Sequence, residues 1–364
     1  MFSDDMESSS GISLTVVIFS LLLFSVAAVF LSRQNRPHDS VTKLFTWLMA
    51  IIVIISFTYS ISYPFGSRFM YGFLLLPLCL YYFTGTAIPF ARDDSCLVWA
   101  MTAVSLMLTF YYFNNYYGNI NYEIESANSA SYAILYLLPF LLCHKNRVLH
   151  GLFIALSIIV VMFSLKRGGF IALLFAVLVY LIVVMLLSKK NKSAFIWKLL
   201  FLLAGTVGIY FLVQFINTEV LEGSLFNRMN QIEEKGGSGR LDIYAYYLSF
   251  IGNDSIGHWL FGHGFQGSIR DTTIGYTCHN DFLEAFVDYG IFGLAFFIAL
   301  NVSLIKHLIQ MIKEKHPYAP AMGVSVALFF ANSMVSHILI YPRYMVIFAL
   351  FWGFIAASTR ELTE

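Results

Sequence analysis

The stretch from Phe170 to Leu187 reads FIALLFAVLVYLIVVMLL and contains no charged residue. A helix that crosses a membrane needs about 20 predominantly apolar residues, and this stretch with its two preceding glycines has that length. About eleven such runs occur along the chain by the same criterion. They begin near Gly11, Leu44, Phe69, Cys96, Ser129, Val148, Phe170, Ala194, Ala285, Tyr318 and Met345. The sequence therefore predicts an all-α, polytopic membrane helix bundle of about 11 spans.

The composition supports this class. Hydrophobic residues make up 59% of the 364 residues and charged residues only 12%, whereas a soluble domain carries about 25% charged residues. A soluble enzyme, a DNA-binding protein and a disordered protein are thereby excluded. The net charge of +1 provides no field that would attract nucleic acid. The four cysteines lack CxxC spacing, so neither a disulfide framework nor a cysteine metal cage is expected.

Lysine and arginine concentrate in the loops on one side of the predicted spans, and basic loops remain in the cytoplasm. This bias predicts an outside N-terminus, an inside C-terminus and one long outside segment. The predicted organisation is residues 1–215 with about eight spans, residues 216–284 as a large, partly helical outside loop, and residues 285–364 with about three spans. Loops of this length are usually functional.

Several arginines lie on the outside, where basic residues should be scarce. Lys166-Arg167-Gly168-Gly169 separates two apolar runs, which favours an anion site over the alternative of a simple helix hairpin with basic side chains reaching the surface. Arg240 follows a glycine-rich segment and precedes a predicted amphipathic helix; taken alone, it could be a solvated loop residue. Arg343, in a Tyr-Pro-Arg turn, is a third candidate anion ligand.

The strongest motif is Cys278-His279-Asn280-Asp281-Phe282-Leu283-Glu284, which leads into the ninth span. Asn280 or Asp281 can cap that helix. His279 then lies at the positive end of a helix dipole, where a neutral imidazole that can act as a general base is favoured. Asp281, Glu284 and Asp288 share one helix face, which we expect to line a cavity or to meet the outside arginines. The alternative for His279 is an interfacial histidine with a structural hydrogen bond.

Other patterns favour structural interpretations. Gly262 to Gly267 matches GxGxxG, but no βαβ unit surrounds it, so a turn is expected instead of a dinucleotide site. A zinc site is conceivable but fits no standard spacing; its ligands would be His258, His263, Cys278 and His279. Asn332, Ser336 and His337 are expected to pack between helices in the tenth span.

Together these residues suggest glycosyl transfer from a lipid diphosphate at the outer face of a bacterial inner membrane. Arginines can hold a pyrophosphate leaving group, and a neutral histidine can deprotonate a hydroxyl nucleophile. No metal or other cofactor is expected. The alternative of another class is a lipid-linked sugar transporter or flippase, which predicts paired half-repeats and polar residues near mid-membrane. The polarity of this chain is instead concentrated at one face and in one loop.

The chain resembles the superfamily of O-antigen polymerases and O-antigen ligases (Wzy and WaaL). The ligase motif H-[NSQ]-x9-G-x2-[GTY] is matched by His279-Asn280 and, nine residues later, by Gly290-Ile291-Phe292-Gly293. Lys166-Arg167-Gly168-Gly169, Gly239-Arg240 and the Gly262-x-Gly264 turn match further features in the same order.

This resemblance implies that Arg167 and Arg240 bind the undecaprenyl diphosphate of the donor and that His279 activates the acceptor hydroxyl, without a cofactor, on the periplasmic side. The expected partners are undecaprenyl-diphosphate-linked oligosaccharide donor and acceptor, membrane lipids and a polysaccharide chain-length regulator. The short chain and the Lys-Arg-Gly-Gly turn favour a polymerase over a ligase. Further candidates for substrate binding are Lys166, Arg343, Asn280, Asp281 and Glu284.

Overall fold

The computed structural model describes residues 40–59, 95–118, 124–164, 166–187, 239–339 and 341–360, together with the single residues 77, 80, 81, 84, 211 and 214. Within these residues all regular secondary structure is helical. The helices are α1 (Ser40–Tyr59), α2 (Ser95–Gly118), α3 (Ile124–Leu141), α4 (Arg147–Phe163), α5 (Arg167–Leu187), α6 (Arg240–Gly252), α7 (Ile256–Phe261), α8 (Gly267–Arg270), α9 (Asp281–Lys313), α10 (Ala319–Val335) and α11 (Pro342–Arg360).

The predicted spans coincide with these helices wherever the chain is described. Helices α2, α5 and α9 are long and apolar enough to cross a membrane, and α1, α3, α4, α10 and α11 contain shorter apolar runs. The predicted runs near Gly11 and Ala194, and most of the run near Phe69, lie outside the described residues. The all-helical class is therefore confirmed, while the number of spans and their orientation stay predictions.

The helices divide between two compact units. One unit comprises residues 94–241 and 306–332. Its helix α3 packs against α2, α4 and α5, and the buried side chains at this junction include Tyr112, Ile134 and Val160. At one end of the bundle His144 shares a hydrogen bond of 2.8 Å with Thr102. Burial lowers the pKa of His144, and the nearby His150 ring acts in the same direction.

The turn predicted at Lys166 to Gly169 lies earlier in the chain than expected, because α4 ends at Phe163 and Arg167, Gly168 and Gly169 already belong to α5. Ser164 closes α4, and its hydroxyl accepts a hydrogen bond from the Lys166 N–H at 3.4 Å. Helix α5 then begins at Arg167. A Cβ atom on Gly169 would lie 3.4 Å from Cε1 of Tyr132, an ordinary contact distance, so the start of α5 packs beside α3.

The second unit comprises residues 1–93, 242–305 and 333–364. In it α6 packs on the start of α9 around Tyr247, Ile251, Cys278 and Val287. The Tyr247 hydroxyl lies between the carbonyls of Ser268, at 2.8 Å, and Tyr276, and burial raises the pKa of this phenol. Helix α6 confirms the predicted helix after Arg240.

The amphipathic character predicted for α6 is only partly present. Tyr247 and Ile251 are buried on one face, but Leu241 and Leu248 are exposed by 63% and 64%. These two leucines lie seven residues apart and therefore on a common face. Helix α6 accordingly presents apolar side chains on two faces.

Two backbone segments of the second unit cross at unusually short range. Helix α9 is broken at Gly290, whose φ of 66° and ψ of −166° are not helical. A Cβ atom on Gly290 would lie 2.2 Å from the Leu260 carbonyl oxygen, and one on Gly262 would lie 2.3 Å from the Asp288 carbonyl carbon. The Gly264 N–H also donates to the Asp288 carbonyl at 2.7 Å. The Gly-x-Gly turn therefore docks the end of α7 onto the break in α9, as a turn and without any strand.

Replacing Gly290 by alanine should destabilise the protein strongly. The substitution combines a backbone collision with a positive φ, for which we expect a loss of about 3 kcal/mol in unfolding free energy. Thermal unfolding of the purified protein in detergent should show a midpoint several degrees lower. The matched control is Gly151→Ala in α4, where a Cβ would meet nothing within 4 Å and the change should stay within about 1 kcal/mol. Equal midpoints for the two variants would contradict the crossing.

Candidate active site around His279

The helix start that carries the histidine motif is capped as expected. The Asn280 Oδ1 accepts hydrogen bonds from the N–H groups of Phe282, at 2.9 Å, and Leu283, at 3.2 Å. This confirms Asn280 as the N-cap of α9. His279 directly precedes the cap with a φ of 52°, a left-handed conformation that is uncommon for residues other than glycine. The backbone thereby turns sharply at the histidine, whose side chain is half-buried.

The closest aromatic neighbour of His279 within the described contacts is a second histidine. The rings of His279 and His337 have their centroids 5.0 Å apart at an interplanar angle of 33°. His337 in turn lies against Tyr341, with centroids 4.6 Å apart, and its Nδ1 is 3.3 Å from the Thr277 hydroxyl. The half-buried imidazole of His279 is thus one side of a small aromatic cluster.

The place of His337 differs from the sequence-based expectation. Helix α10 ends at Val335, so Ser336 and His337 lie in the following turn and not inside the tenth span. Asn332 stays in the helix, is buried and donates to the Leu328 carbonyl at 3.0 Å. The signal that could have located His337 is Pro342, the first residue of α11: proline favours the first turn of a helix, so it predicts a new helix start with a turn before it.

Helix α6 holds the backbone of the histidine segment. The Tyr244 hydroxyl lies 3.2 Å from the carbonyl oxygen of His279 and 3.4 Å from that of Met334. The Asn280 side-chain amide also donates to the Met334 carbonyl, at 3.2 Å. The segment that carries His279 is therefore fixed to both α6 and the end of α10.

The face formed by Asp281, Glu284 and Asp288 has partners that the sequence did not reveal. All three side chains are fully buried. Asp281 accepts from the N–H groups of Ile338 and Leu339, at 2.9 to 3.2 Å. The expectation of a cavity or of arginine partners is corrected here, because the Asp281 carboxylate binds backbone N–H groups.

The other two carboxylates behave in the same way. Glu284 accepts from the Cys278 N–H at 2.7 Å and from the Ser268 hydroxyl. Asp288 accepts from the N–H groups of Gln266, at 2.9 Å, and Ser268, at 3.0 Å. Asp281 thus secures the turn after α10, Glu284 secures Cys278 before His279, and Glu284 and Asp288 together hold the start of α8 against α9.

Cys278 is unsuited to nucleophilic or metal chemistry. It is fully buried, and burial, followed by the charge of Glu284, raises the pKa of its thiol. Only a thiolate is an effective nucleophile or metal ligand. The residue therefore belongs to the apolar packing beneath His279.

The zinc set considered as an alternative from the sequence separates in the structure. His258 and His263 come together with Asp254, with ligand atoms within 4.8 Å of one another, whereas Cys278 and His279 are not members of this group. Burial tends to raise the pKa of Asp254, but hydrogen bonds from His263 and His258 outweigh it and lower the pKa. The four-residue set considered from the sequence is therefore replaced by a different three-residue cluster.

The predicted cationic residues occupy helix N-termini. Arg167 is the first residue of α5, with Lys166 directly before it, and Arg240 is the first residue of α6. Arg343 is the second residue of α11, which begins just after Tyr341. The structure thus brings the start of α11 to the His337–Tyr341 side of the histidine cluster. Arg167 and Arg240 belong to one unit and His279 to the other, so their convergence stays a prediction.

Replacing Asp281 by asparagine should loosen the turn that carries His337. The asparagine amide presents N–H groups where backbone N–H groups need an acceptor. We therefore expect the free energy of unfolding to fall by about 2 kcal/mol. Thermal unfolding of the purified protein in detergent measures this loss of stability. The control is Asp242→Asn, an exposed acid in the first turn of α6, which should cost less than about 1 kcal/mol. Indistinguishable midpoints would show that the Asp281 bonds contribute nothing.

Comparison with known proteins adds one match. No curated protein matches the chain significantly. Residues 152–298 match the family model Wzy_C, described as O-Antigen ligase. The matched segment includes Arg167, Arg240, His279, Gly290 and Gly293. This match confirms the resemblance of the chain to the superfamily of O-antigen polymerases and O-antigen ligases.

Proposed function

We propose that this protein is an O-antigen polymerase that joins undecaprenyl-diphosphate-linked oligosaccharide repeat units at the periplasmic face of the inner membrane. The family match supports a membrane transferase of the O-antigen type. The main structural support is that His279, Arg167, Arg240 and Arg343 all lie at helix N-termini. A helix N-terminus together with a guanidinium is a favourable environment for an anion, and the diphosphate is the anionic part of the donor.

In the proposed reaction His279 removes the proton from the acceptor hydroxyl. The oxygen then attacks the anomeric carbon of the donor sugar, a new glycosidic bond forms, and the bond from that carbon to the diphosphate breaks. Undecaprenyl diphosphate leaves with the bonding electron pair, and the proton remains on the imidazole until it passes to solvent. Because His279 precedes the positive end of α9, the neutral imidazole needed for this step is favoured before substrate binds.

The arginines are proposed to stabilise the leaving group. The guanidinium groups of Arg167 and Arg240 are proposed to donate bidentate hydrogen bonds to the diphosphate. The first-turn N–H groups of the same helices, which have no intrahelical acceptor, are proposed to donate to it as well. Lys166 and Arg343 are proposed as further cationic contacts. Arg240 precedes Tyr244 by four residues and thus shares its helix face, and Tyr244 contacts the His279 carbonyl. We propose Arg240 as one of the cations that contact the leaving diphosphate.

The remaining candidate residues are proposed to act in two ways: one contacts the substrate, and the others position the histidines. Asn280 is half-buried, and we retain it as a contact to the sugars. Asp281 and Glu284 are fully buried with backbone partners. We propose that these two acids act by positioning His337 and His279 rather than by touching the substrate. His337 is proposed to orient the His279 ring through their face contact.

A ligase that transfers the finished glycan to the lipid A core is the second candidate, because the matched family model is described as O-Antigen ligase. The two reactions share their donor chemistry and differ in the acceptor. A separate chain-length regulator is expected as a partner of the polymerase only.

Deletion of the gene should distinguish the two functions. Loss of a polymerase should leave a single repeat unit on the lipid A core, seen on a gel of surface glycan. Loss of a ligase should instead leave the core without any repeat unit, with polymer retained on its lipid carrier. An unaltered surface glycan profile would contradict both functions.

Substitutions should test the assigned roles in purified protein supplied with lipid-diphosphate repeat units and no proton gradient. His279→Ala should reduce chain elongation by about 10²- to 10⁴-fold, the range for removal of a general base. Arg240→Ala should reduce it by a similar factor, with partial retention in Arg240→Lys because lysine keeps the charge but not the bidentate geometry.

The control is His150→Gln. His150 is a half-buried histidine that shares a hydrogen bond with Tyr180, and both lie in the unit that does not contain His279. This substitution should leave elongation unchanged. Thermal unfolding of every variant separates loss of chemistry from loss of folding. Undiminished elongation by a folded His279→Ala protein would remove His279 from the mechanism.

A further inference from the structure

An open cleft of about 520 Å³ lies beside helix α7. Two aspartates and two histidines line it: Asp254, Asp271, His258 and His263. All four belong to the same unit. We propose that Asp254, His258 and His263 form a binding site for a divalent transition-metal ion, and that Zn²⁺ is the ion that fits this set best.

One carboxylate faces a ring nitrogen of each histidine. The His258 Nδ1 lies 3.0 Å from Asp254 Oδ1, and the His263 Nε2 lies 2.6 Å from Asp254 Oδ2. The two rings are themselves close, with centroids 4.1 Å apart. Around a tetrahedral zinc ion with bonds of 2.0–2.2 Å, ligand atoms lie about 3.3 Å from one another. The three donor atoms lie within 4.8 Å of one another, so small side-chain rotations suffice to admit the ion.

The hydrogen bonding of His263 indicates what the Nε2 position can hold. Its Nδ1 lies 3.2 Å from Asp271 Oδ2, so a proton on Nδ1 is donated to that carboxylate. The Nε2 then faces Asp254 and can carry there either a second proton or a metal ion. A metal ion additionally recruits the His258 Nδ1, which faces the other oxygen of the same carboxylate. A single divalent cation therefore satisfies all three donors at once.

Asp271 and Arg270 provide the outer support that metal-binding histidines usually have. A carboxylate hydrogen-bonded to the second ring nitrogen fixes the tautomer and orientation of the ring. Asp271 is itself held by Arg270, with the Nε to Oδ1 and Nη2 to Oδ2 distances both 2.6 Å. The Arg270 Nη2 also donates to the His263 carbonyl at 2.6 Å. His263 is thereby oriented from both its ring and its backbone.

Donor type and spacing agree with this assignment. Two imidazoles and a carboxylate suit zinc among the common divalent ions. His258 and His263 are separated by four residues, within the H-x3–5-H spacing of zinc sites. The side chain of His258 is 38% exposed, which gives an entry path from the cleft. Three protein ligands leave a fourth position for water.

The site would brace the loop that docks onto α9. Asp254 precedes α7, and His263 follows it, with its N–H donated to the Val287 carbonyl at 3.0 Å. A metal bridging these residues ties both ends of α7 together at the crossing with α9. This role is structural and is independent of the proposed glycosyl transfer.

Zinc binding to the full-length protein in detergent tests the proposal. The affinity tag is removed, the protein is stripped with EDTA and dialysed, and Zn²⁺ is titrated in competition with a chromophoric chelator. We expect one Zn²⁺ per chain and a zinc-dependent rise in the midpoint of thermal unfolding. His258→Gln should weaken binding by about 100-fold and abolish that rise, and Asp271→Asn should weaken binding by about 10- to 100-fold.

His279→Gln is the matched control, because it removes a histidine of the same loop that lies outside the cluster. Its affinity for Zn²⁺ should equal that of the wild type. A Co²⁺-loaded wild-type protein should show the visible absorption of a four-coordinate nitrogen and oxygen site, a measurement that needs no variant to fold. Absence of stoichiometric Zn²⁺ uptake, a Co²⁺ spectrum of a six-coordinate ion, or equal affinity in folded His258→Gln would overturn the proposal.

Discussion

Three buried carboxylates on one face of α9 organise the region around His279. Asp281, Glu284 and Asp288 are taken fully out of solvent, which is costly for a carboxylate unless donors replace its water. Backbone N–H groups are those donors here. A backbone donor cannot rotate away as a side chain can, so each acid fixes a chain segment and not only a neighbouring group. The position of His337, the turn at His279 and the loop after α7 all depend on these bonds.

The spacing of the histidine motif has a physical explanation in this arrangement. Asn280 starts a helical segment of α9 that ends where Gly290 breaks it. The nine residues between them are therefore one rigid segment that carries all three buried acids. The residue at the break must be a glycine because the Leu260 carbonyl occupies the place of a Cβ on Gly290. Gly293 is restricted as well, since a Cβ there would lie 2.3 Å from the Tyr289 side chain. The motif thus specifies a helix length and a docking point as well as a histidine.

The sequence predicted the helices well but did not predict which side chains contact one another. Apolar runs predicted the helices, and the sequence limited the cap of α9 to Asn280 or Asp281, because these features depend on neighbouring residues. The pairing of His279 with His337 joins residues 58 positions apart, and the end of α10 that permits it lies two residues from where a continuous apolar run suggested. Asp254 went unnoticed as a partner of His258 and His263 because an isolated aspartate in a loop has no pattern of its own.

The placement of the arginines at helix starts supports the proposed binding of a diphosphate. A cation in the first turn of a helix opposes the dipole and typically costs about 0.3–1 kcal/mol. In α6 this cost is offset by Asp242, two residues after Arg240. Neither α5, which begins with Arg167, nor α11, which carries Arg343, has an acid in its first turn. A fold selected for stability alone has no reason to place these cations there, whereas a bound diphosphate would satisfy guanidinium and helix together. Under the proposed function, the same positive charge that opposes the helix dipole would favour binding of the anionic donor.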